Sequence, residues 1–236
     1  MRPRTATSLA ALALAAGIGL AGAAGAAPFF TLAGGVDSPD VGNDFAFING
    51  TGAIIRESQA GNPATINITG PGNIRIEYIG KEALFSNNLF NWGALAGGLL
   101  VSDTGPNPPQ TVGDTTGIPP ASQANGLAPL VVPVPAGLLP FNFVITATGN
   151  VVPNGHAGPG NDDVAFFFAD AAGNPLPLSG QSTIAYLLLD DGGGANDNDH
   201  DDMIVRLTIT EAPEPGTLAV LGMTLAGLGL SRRRRR

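Results

Sequence analysis

Thr65-Ile66-Asn67-Ile68-Thr69-Gly70-Pro71-Gly72-Asn73-Ile74-Arg75-Ile76-Glu77-Tyr78 is the stretch that decides the fold class. On both sides of Gly70-Pro71-Gly72 the apolar residues come two apart, the period of an extended strand with one buried face. A helix would need them three and four apart. Ile66 and Ile68 should therefore face the same core as Ile74 and Ile76, across the turn Gly70 to Asn73.

The same alternation recurs in Phe141-Asn142-Phe143-Val144-Ile145-Thr146 and in Met203-Ile204-Val205-Arg206-Leu207-Thr208-Ile209. Further strands are expected at Asp44–Asn49, Ala53–Glu57, Val164–Ala169 and Ser182–Asp190. Phe166-Phe167-Phe168 and Leu187-Leu188-Leu189 are continuously apolar, which suits central strands covered on both faces. The body offers no capped helix longer than two turns, and 34 Gly and 20 Pro in the chain mark frequent turns. These features predict an all-β domain, an antiparallel two-sheet sandwich; a jelly-roll strand order is compatible with the pattern but not derivable from it. The Pro-rich segment Asp103 to Ala136 reads as a surface loop or an edge crossing, since proline cannot donate to a central ladder, with a second domain boundary as the alternative.

The two ends of the chain have a different character. Arg2 and Arg4 precede an apolar stretch, Leu9 to Leu20, and Ala24-Gly25-Ala26 supplies the small residues of a cleavage site. Residues 1–26 are thus expected to be a signal peptide with a helical apolar core, addressed to the Sec export machinery. At the other end, residues 213–236 comprise Pro213-Glu214-Pro215, an apolar run from Gly216 to Leu230, Ser231, and then Arg232, Arg233, Arg234, Arg235 and Arg236. An apolar helix followed by guanidinium groups lodges in a membrane with the arginines on the cytoplasmic side. As a helix the 15-residue run rises only about 22 Å, short for a ~30 Å hydrocarbon core, and so suits a temporary anchor. Taken alone it could equally be a buried helix, but it holds no charge and ends in five arginines.

This order of parts resembles the PEP-CTERM sorting signal of exported Gram-negative bacterial proteins. The resemblance implies recognition and removal of the tail by a membrane protease, an exosortase. It also implies association of the mature protein with extracellular polysaccharide or biofilm matrix. The three-part organisation is then a signal peptide (1–26), an exported β-domain (27–212) and a sorting tail (213–236).

Away from both ends the charge is lopsided. All 19 acidic residues lie from Asp37 to Glu214, against Arg56, Arg75, Lys81 and Arg206, a net charge of −15 over that stretch. Such a surface argues against nucleic acid and favours polyvalent cations. The absence of cysteine excludes disulfides and thiolate metal sites.

The acids concentrate in Asp190-Asp191-Gly192-Gly193-Gly194-Ala195-Asn196-Asp197-Asn198-Asp199-His200-Asp201-Asp202, between two expected strands. Carboxylates this dense repel one another, and hard oxygen ligands at flexible spacing suit Ca²⁺. The candidate ligands are Asp190, Asp191, Asn196, Asp197, Asp199, Asp201 and Asp202. Asp197, Asp199 and Asp201 alternate and would share one side of an extended backbone. The loop is not an EF-hand: counted from Asp197, the sixth position is Asp202 instead of glycine and the twelfth is Thr208 instead of glutamate. From Tyr186 to Leu207 it resembles the terminal D-N-D-x-x-D strand entry of exported β-domains that often carry PEP-CTERM tails, a resemblance that implies no activity. The alternative is an ordinary solvated turn. Asp37, Asp40 and Asp44, and the motif Gly160-Asn161-Asp162-Asp163, read either as a further acidic site or as strand-entry turns.

Catalytic candidates are thin. His156 and His200 lack the spacing of a zinc site or a triad and read as surface histidines. Sequence alone pairs no two carboxylates for glycoside hydrolysis. Trp92, Tyr78 and Tyr186 read either as sugar-stacking faces, with Asn87, Asn88 and Asn91 nearby, or as core. The chain is therefore expected to be a non-enzymatic, calcium-stabilised surface or matrix protein, with a carbohydrate-binding module and a glycan hydrolase as alternatives. An exposed Trp92 would favour the module.

Overall fold

The computed structural model describes residues 27–39, 53–80, 88–93, 99–102, 129–145, 148–156, 162–191, 200–212 and 224. Ala27–Glu211 forms one compact unit; Met1–Ala26 with Ala212–Arg236 forms another, of which only Ala212 and Thr224 are described. Among the described residues from 27 to 212 there is no helix.

The strands are β1 (Phe30–Ala33), β2 (Val36–Pro39), β3 (Ile54–Glu57), β4 (Thr65–Ile68), β5 (Gly72–Gly80), β6 (Leu89–Trp92), β7 (Leu99–Ser102), β8 (Leu130–Val134), β9 (Gly137–Leu138), β10 (Phe141–Ile145), β11 (Asn150–Pro153), β12 (Asp162–Ala169), β13 (Ile184–Asp191) and β14 (Met203–Glu211). They build a seven-stranded sheet in the order β2-β3-β12-β13-β14-β5-β8, a four-stranded sheet β11-β10-β6-β7 and a three-stranded sheet β1-β4-β9. Each of these pairings is antiparallel.

The turn at Gly70-Pro71-Gly72 turns out to be a change of sheet. β4 pairs with β1 and β9, whereas β5 pairs with β14 and β8. Ile66, Ile68, Ile74 and Ile76 nevertheless fill one apolar cluster, as their alternation requires. A second switch joins β1 to β2 through Gly34 and Gly35, at φ 66° and 70°, a left-handed conformation that glycine alone adopts without strain. A Cβ on Gly35 would also lie 2.6 Å from the Glu57 carbonyl oxygen.

The main cluster joins residues of all three sheets. Val164, Phe166, Leu187, Leu189, Val205 and Leu207 come from the large sheet, Phe90, Trp92, Phe141 and Phe143 from the four-stranded one, and Phe30, Ile66 and Ile68 from the three-stranded one. Phe90 lies edge-on to Phe143 at 5.2 Å between centroids and stacked on Phe141 at 5.7 Å. The opposite face of the large sheet carries its own buried cluster, including Ile55, Phe167, Tyr186, Leu188 and Ile204. The runs Phe166–Phe168 and Leu187–Leu189 divide their side chains between the two clusters, which is why they are continuously apolar. Each buried Phe or Leu contributes about 1.5–3 kcal/mol.

Boundaries shift where side chains intervene. β13 begins at Ile184 because the Ser182 hydroxyl oxygen accepts from Ile184 N (3.0 Å) and the hydroxyl donates to the Ala169 carbonyl (3.0 Å), making a turn of the first residues. β8, with Pro133, lies at an edge of the large sheet, where its missing N–H is tolerated. The strand expected at Asp44–Asn49, residues 103–128, and the signal peptide lie outside the described residues.

The strands define two poles. At one, Phe30 N donates to Ser182 O (2.7 Å) and Ile209 N to Thr183 O (2.9 Å), so the first and last strands meet there. At the other, β13 ends in Asp190 and Asp191.

Candidate functional site

The acidic pole is assembled from four segments. Register sets Asp163 of β12 opposite Asp190 of β13, and β14 begins just beyond them at Met203. Strand alternation sends Asp190 to the Tyr186 and Leu188 face and Asp191 to the Leu187 and Leu189 face. On that second side Asp191 Oδ2 accepts from Asn88 Nδ2 (3.0 Å), tying the large sheet to the residue just before β6. Asp202 folds back on β13: its Oδ2 accepts from Asp191 N (2.7 Å) and its N donates to Leu189 O (3.1 Å).

His200 enters this segment with φ 53°, an uncommon left-handed conformation for a non-glycine residue. Its ring is fully buried, with Nε2 2.8 Å from Asp163 Oδ1. The reading of His200 as a surface histidine is therefore corrected: the left-handed turn drives the ring inward against β12. Asp190 (1 % exposed), Asp191 (6 %) and Asp201 (0 %) are buried too, not solvated as turn residues would be.

Burying carboxylates is costly unless charge or hydrogen bonds compensate. The described arginines are committed elsewhere. Arg56 pairs with Asp37, while Arg75 and Arg206 hold Glu77 at 2.8 Å and 2.7 Å. Asp37 thus belongs to an ion pair; Asp40 and Asp44 lie outside the described residues. Among the described residues, no three His, Cys, Asp or Glu side chains converge as a metal-binding group. Asn196, Asp197 and Asp199, the middle of the expected ligand set, lie outside the described residues.

A second charged cluster was not legible from the sequence. Glu77, 2 % exposed, receives Arg206 Nε (2.9 Å) and Nη2 (2.7 Å) on the face that also carries Tyr186. Burial pushes the Tyr186 hydroxyl above its ordinary pKa, with Arg206 opposing. Burial also pulls the Arg206 guanidinium down, but Glu77 outweighs it and holds that group above its usual value. The only signal was a polar pair, Arg75 and Glu77, opposite Arg206 and Thr208 in a strand whose partner was unknown. Trp92, Tyr78 and Tyr186 are all buried, at 2 %, 4 % and 1 % exposed, so none offers a face to a sugar.

The last ladder position is Glu211, opposite Gly72, and Ala212 alone separates it from Pro213-Glu214-Pro215. Residues 211–236 match the family model of the PEP-CTERM protein-sorting motif. The chain carries a PEP-CTERM sorting signal. Such a signal marks a secreted protein whose membrane-anchored precursor is processed by an exosortase, itself a membrane protein. No described helix is long and apolar enough to cross a membrane; within Gly216–Leu230 only Thr224 is described, as helical and exposed. No curated protein and no solved structure matches the chain.

Proposed function

We propose that the mature protein is a non-enzymatic component of the cell surface or extracellular matrix, associated with exopolysaccharide or biofilm and stabilised by calcium at its acidic pole. The observation that carries the reading is the PEP-CTERM signal joined directly to the last strand. In this reading residues 1–26 are a Sec signal peptide, the domain 27–212 is a two-layer sandwich, and the smaller sheets together cover one face of the large one. Pro213, Glu214 and Pro215 are the recognition element, and Arg232 to Arg236 hold the tail on the cytoplasmic side.

Calcium is supported by the density of acids from Asp190 to Asp202 in the sequence and by the burial of Asp190, Asp191 and Asp201 at one end of the large sheet. Hard oxygen donors from these residues and from Asn196, Asp197 and Asp199 would complete the shell. The carbohydrate-binding alternative loses its stacking platform, since Trp92 is core. The hydrolase alternative gains no support from carboxylates that are buried in the fold.

The deciding experiment expresses the full chain and a variant lacking Gly216–Arg236 in a Gram-negative host and fractionates the envelope. The truncated product should leave the envelope while the full chain stays with it. Full-length protein found soluble in the cytosol with both ends intact would overturn the reading.

A further inference from the structure

We propose that Asn154-Gly155 is a conditional modification site, at which the asparagine amide cyclises onto the next backbone nitrogen and is lost as ammonia when the domain opens. The folded domain holds that reaction shut, so the pair keeps an irreversible record of opening. The inference stands apart from the sorting tail and from the acidic pole.

The chain holds three Asn-Gly pairs, Asn49-Gly50, Asn125-Gly126 and Asn154-Gly155, and in the last of them both residues are described. Asparagine before glycine is the reactive order, because a residue without Cβ leaves its nitrogen unhindered and its backbone able to present it. In the first step base takes the Gly155 N–H proton and the nitrogen electron pair forms a bond to Asn154 Cγ. The Cγ–Nδ2 bond then breaks, and Nδ2 leaves as ammonia with a proton returned to it. Water opens the ring imide at either carbonyl, giving an aspartyl or an isoaspartyl linkage. The balance needs base and water alone.

The fold blocks the first bond. Cγ reaches the Gly155 nitrogen by turning about Cα–Cβ, and three hydrogen bonds hold that torsion. Nδ2 donates to the carbonyls of Ile66 and Leu139 (2.9 Å each), and Oδ1 accepts from Ile66 N (3.0 Å). All three are made by one rigid amide plane and so break together. The backbone is held as well: His156 N donates to Pro153 O (2.8 Å), closing a turn in which Gly155 has φ 86°. This turn rests on β4, where Thr65 Cγ2 lies 2.9 Å from the place of a Gly155 Cβ.

The same bonds make the change one-way. An amide donates and accepts, whereas a carboxylate only accepts. After conversion an oxygen stands in the place of Nδ2, 2.9 Å from two carbonyl oxygens that had received its protons. The isoaspartyl form also inserts a methylene into the backbone of the turn. Either product is rejected by the junction of β11 with Ile66 of β4 and with Leu139, just after β9.

The test ages full-length protein in mild detergent and mildly alkaline buffer, with and without denaturing urea, and follows the mass gain of amide-to-acid conversion in the peptide of each pair. In urea Asn154 should convert alongside Asn49 and Asn125. In native buffer it should convert about tenfold more slowly than in urea, or slower still, because only the open fraction reacts. A smaller ratio overturns the closed state, and an Asn154 that stays unconverted in urea overturns the site.

A second measurement reads the consequence. Ageing in urea should lower the urea midpoint of the refolded parent more than that of Asn154→Ala, whose remaining Asn-Gly pairs are Asn49-Gly50 and Asn125-Gly126. An equal drop in both overturns the one-way character. Asn154→Gln, whose longer side chain cyclises slowly, takes the place of the alanine variant if that one does not fold.

Discussion

Asn154 shows how much one side chain can carry in a loop-rich β-domain. Its Nδ2 donates to the carbonyls of Ile66 and Leu139 (2.9 Å each) and its Oδ1 accepts from Ile66 N (3.0 Å), so it joins the end of β11 to the three-stranded sheet. Asn154→Ala takes the side-chain partner from Ile66 N and from Leu139 O, while Ile66 O keeps the bond from Leu139 N, and should cost about 2–3 kcal/mol, read from the urea midpoint. Asp170 closes the β12–β13 connection through Asn174 and Ala172, whose side-chain and backbone donors hold its carboxyl below the ordinary 3.8. A lowered pKa stabilises above the unfolded value and is lost as pH falls through the folded one. The melting temperature of Asp170→Asn should therefore trail the parent at pH 6, and the gap should close below pH 3.8. Neither role was readable in advance, because the partners are 88 and 15 residues from Asn154 and the Asp170 turn is generic in composition. The acids at 190–202 were legible as a cluster, but the burial of Asp190, Asp191 and Asp201 was not, since Asn88 and Asp163 reach this end from distant segments.

At the scale of elements, alternation located β4, β5, β10 and β14 while missing short strands such as β1, β2, β6 and β11 and saying little about which strands pair. β4 and β5 look like a hairpin in sequence and belong to different sheets, because Gly70-Pro71-Gly72 redirects the chain and the β5 ladder is filled by β14 and β8. The Glu77, Arg206 and Tyr186 set crosses β5, β14 and β13 and fixes their register where the outer face is otherwise apolar. Glu77→Gln removes the charge between two arginines and should destabilise by about 3 kcal/mol in equilibrium unfolding. Tyr186 titrates higher in the fold than its unfolded value of 10.0, so the native state holds its proton longer and stability falls as pH rises past 10. Tyr186→Phe should shed that loss: between pH 10 and 11 its denaturation midpoint should drop less than the parent's.

For the whole molecule, the C-terminal end was the most legible part and the interior the least. Pro213-Glu214-Pro215 and the arginines are local signals read in order, whereas the sheet order β2-β3-β12-β13-β14-β5-β8 is set by contacts between distant segments. The calcium reading belongs at this scale, since its candidate ligands run from the end of β13 to the residues just before β14. Calorimetric unfolding with 2 mM Ca²⁺ should raise the melting temperature over that in chelator, by an amount equivalent to about 2.7 kcal/mol if calcium stands at a hundred times its dissociation constant. An unchanged midpoint removes the site.

β14 is the closing piece of the large sheet, wedged between β13 and β5, and it is also the final strand before the tail. A polypeptide threaded outward from its N-terminus delivers this wedge last. Until then β13 and β5 lack the neighbour they share. The closing strand and the sorting signal thus lie within a few residues of each other, so in the proposed export the large sheet is completed only as the tail arrives.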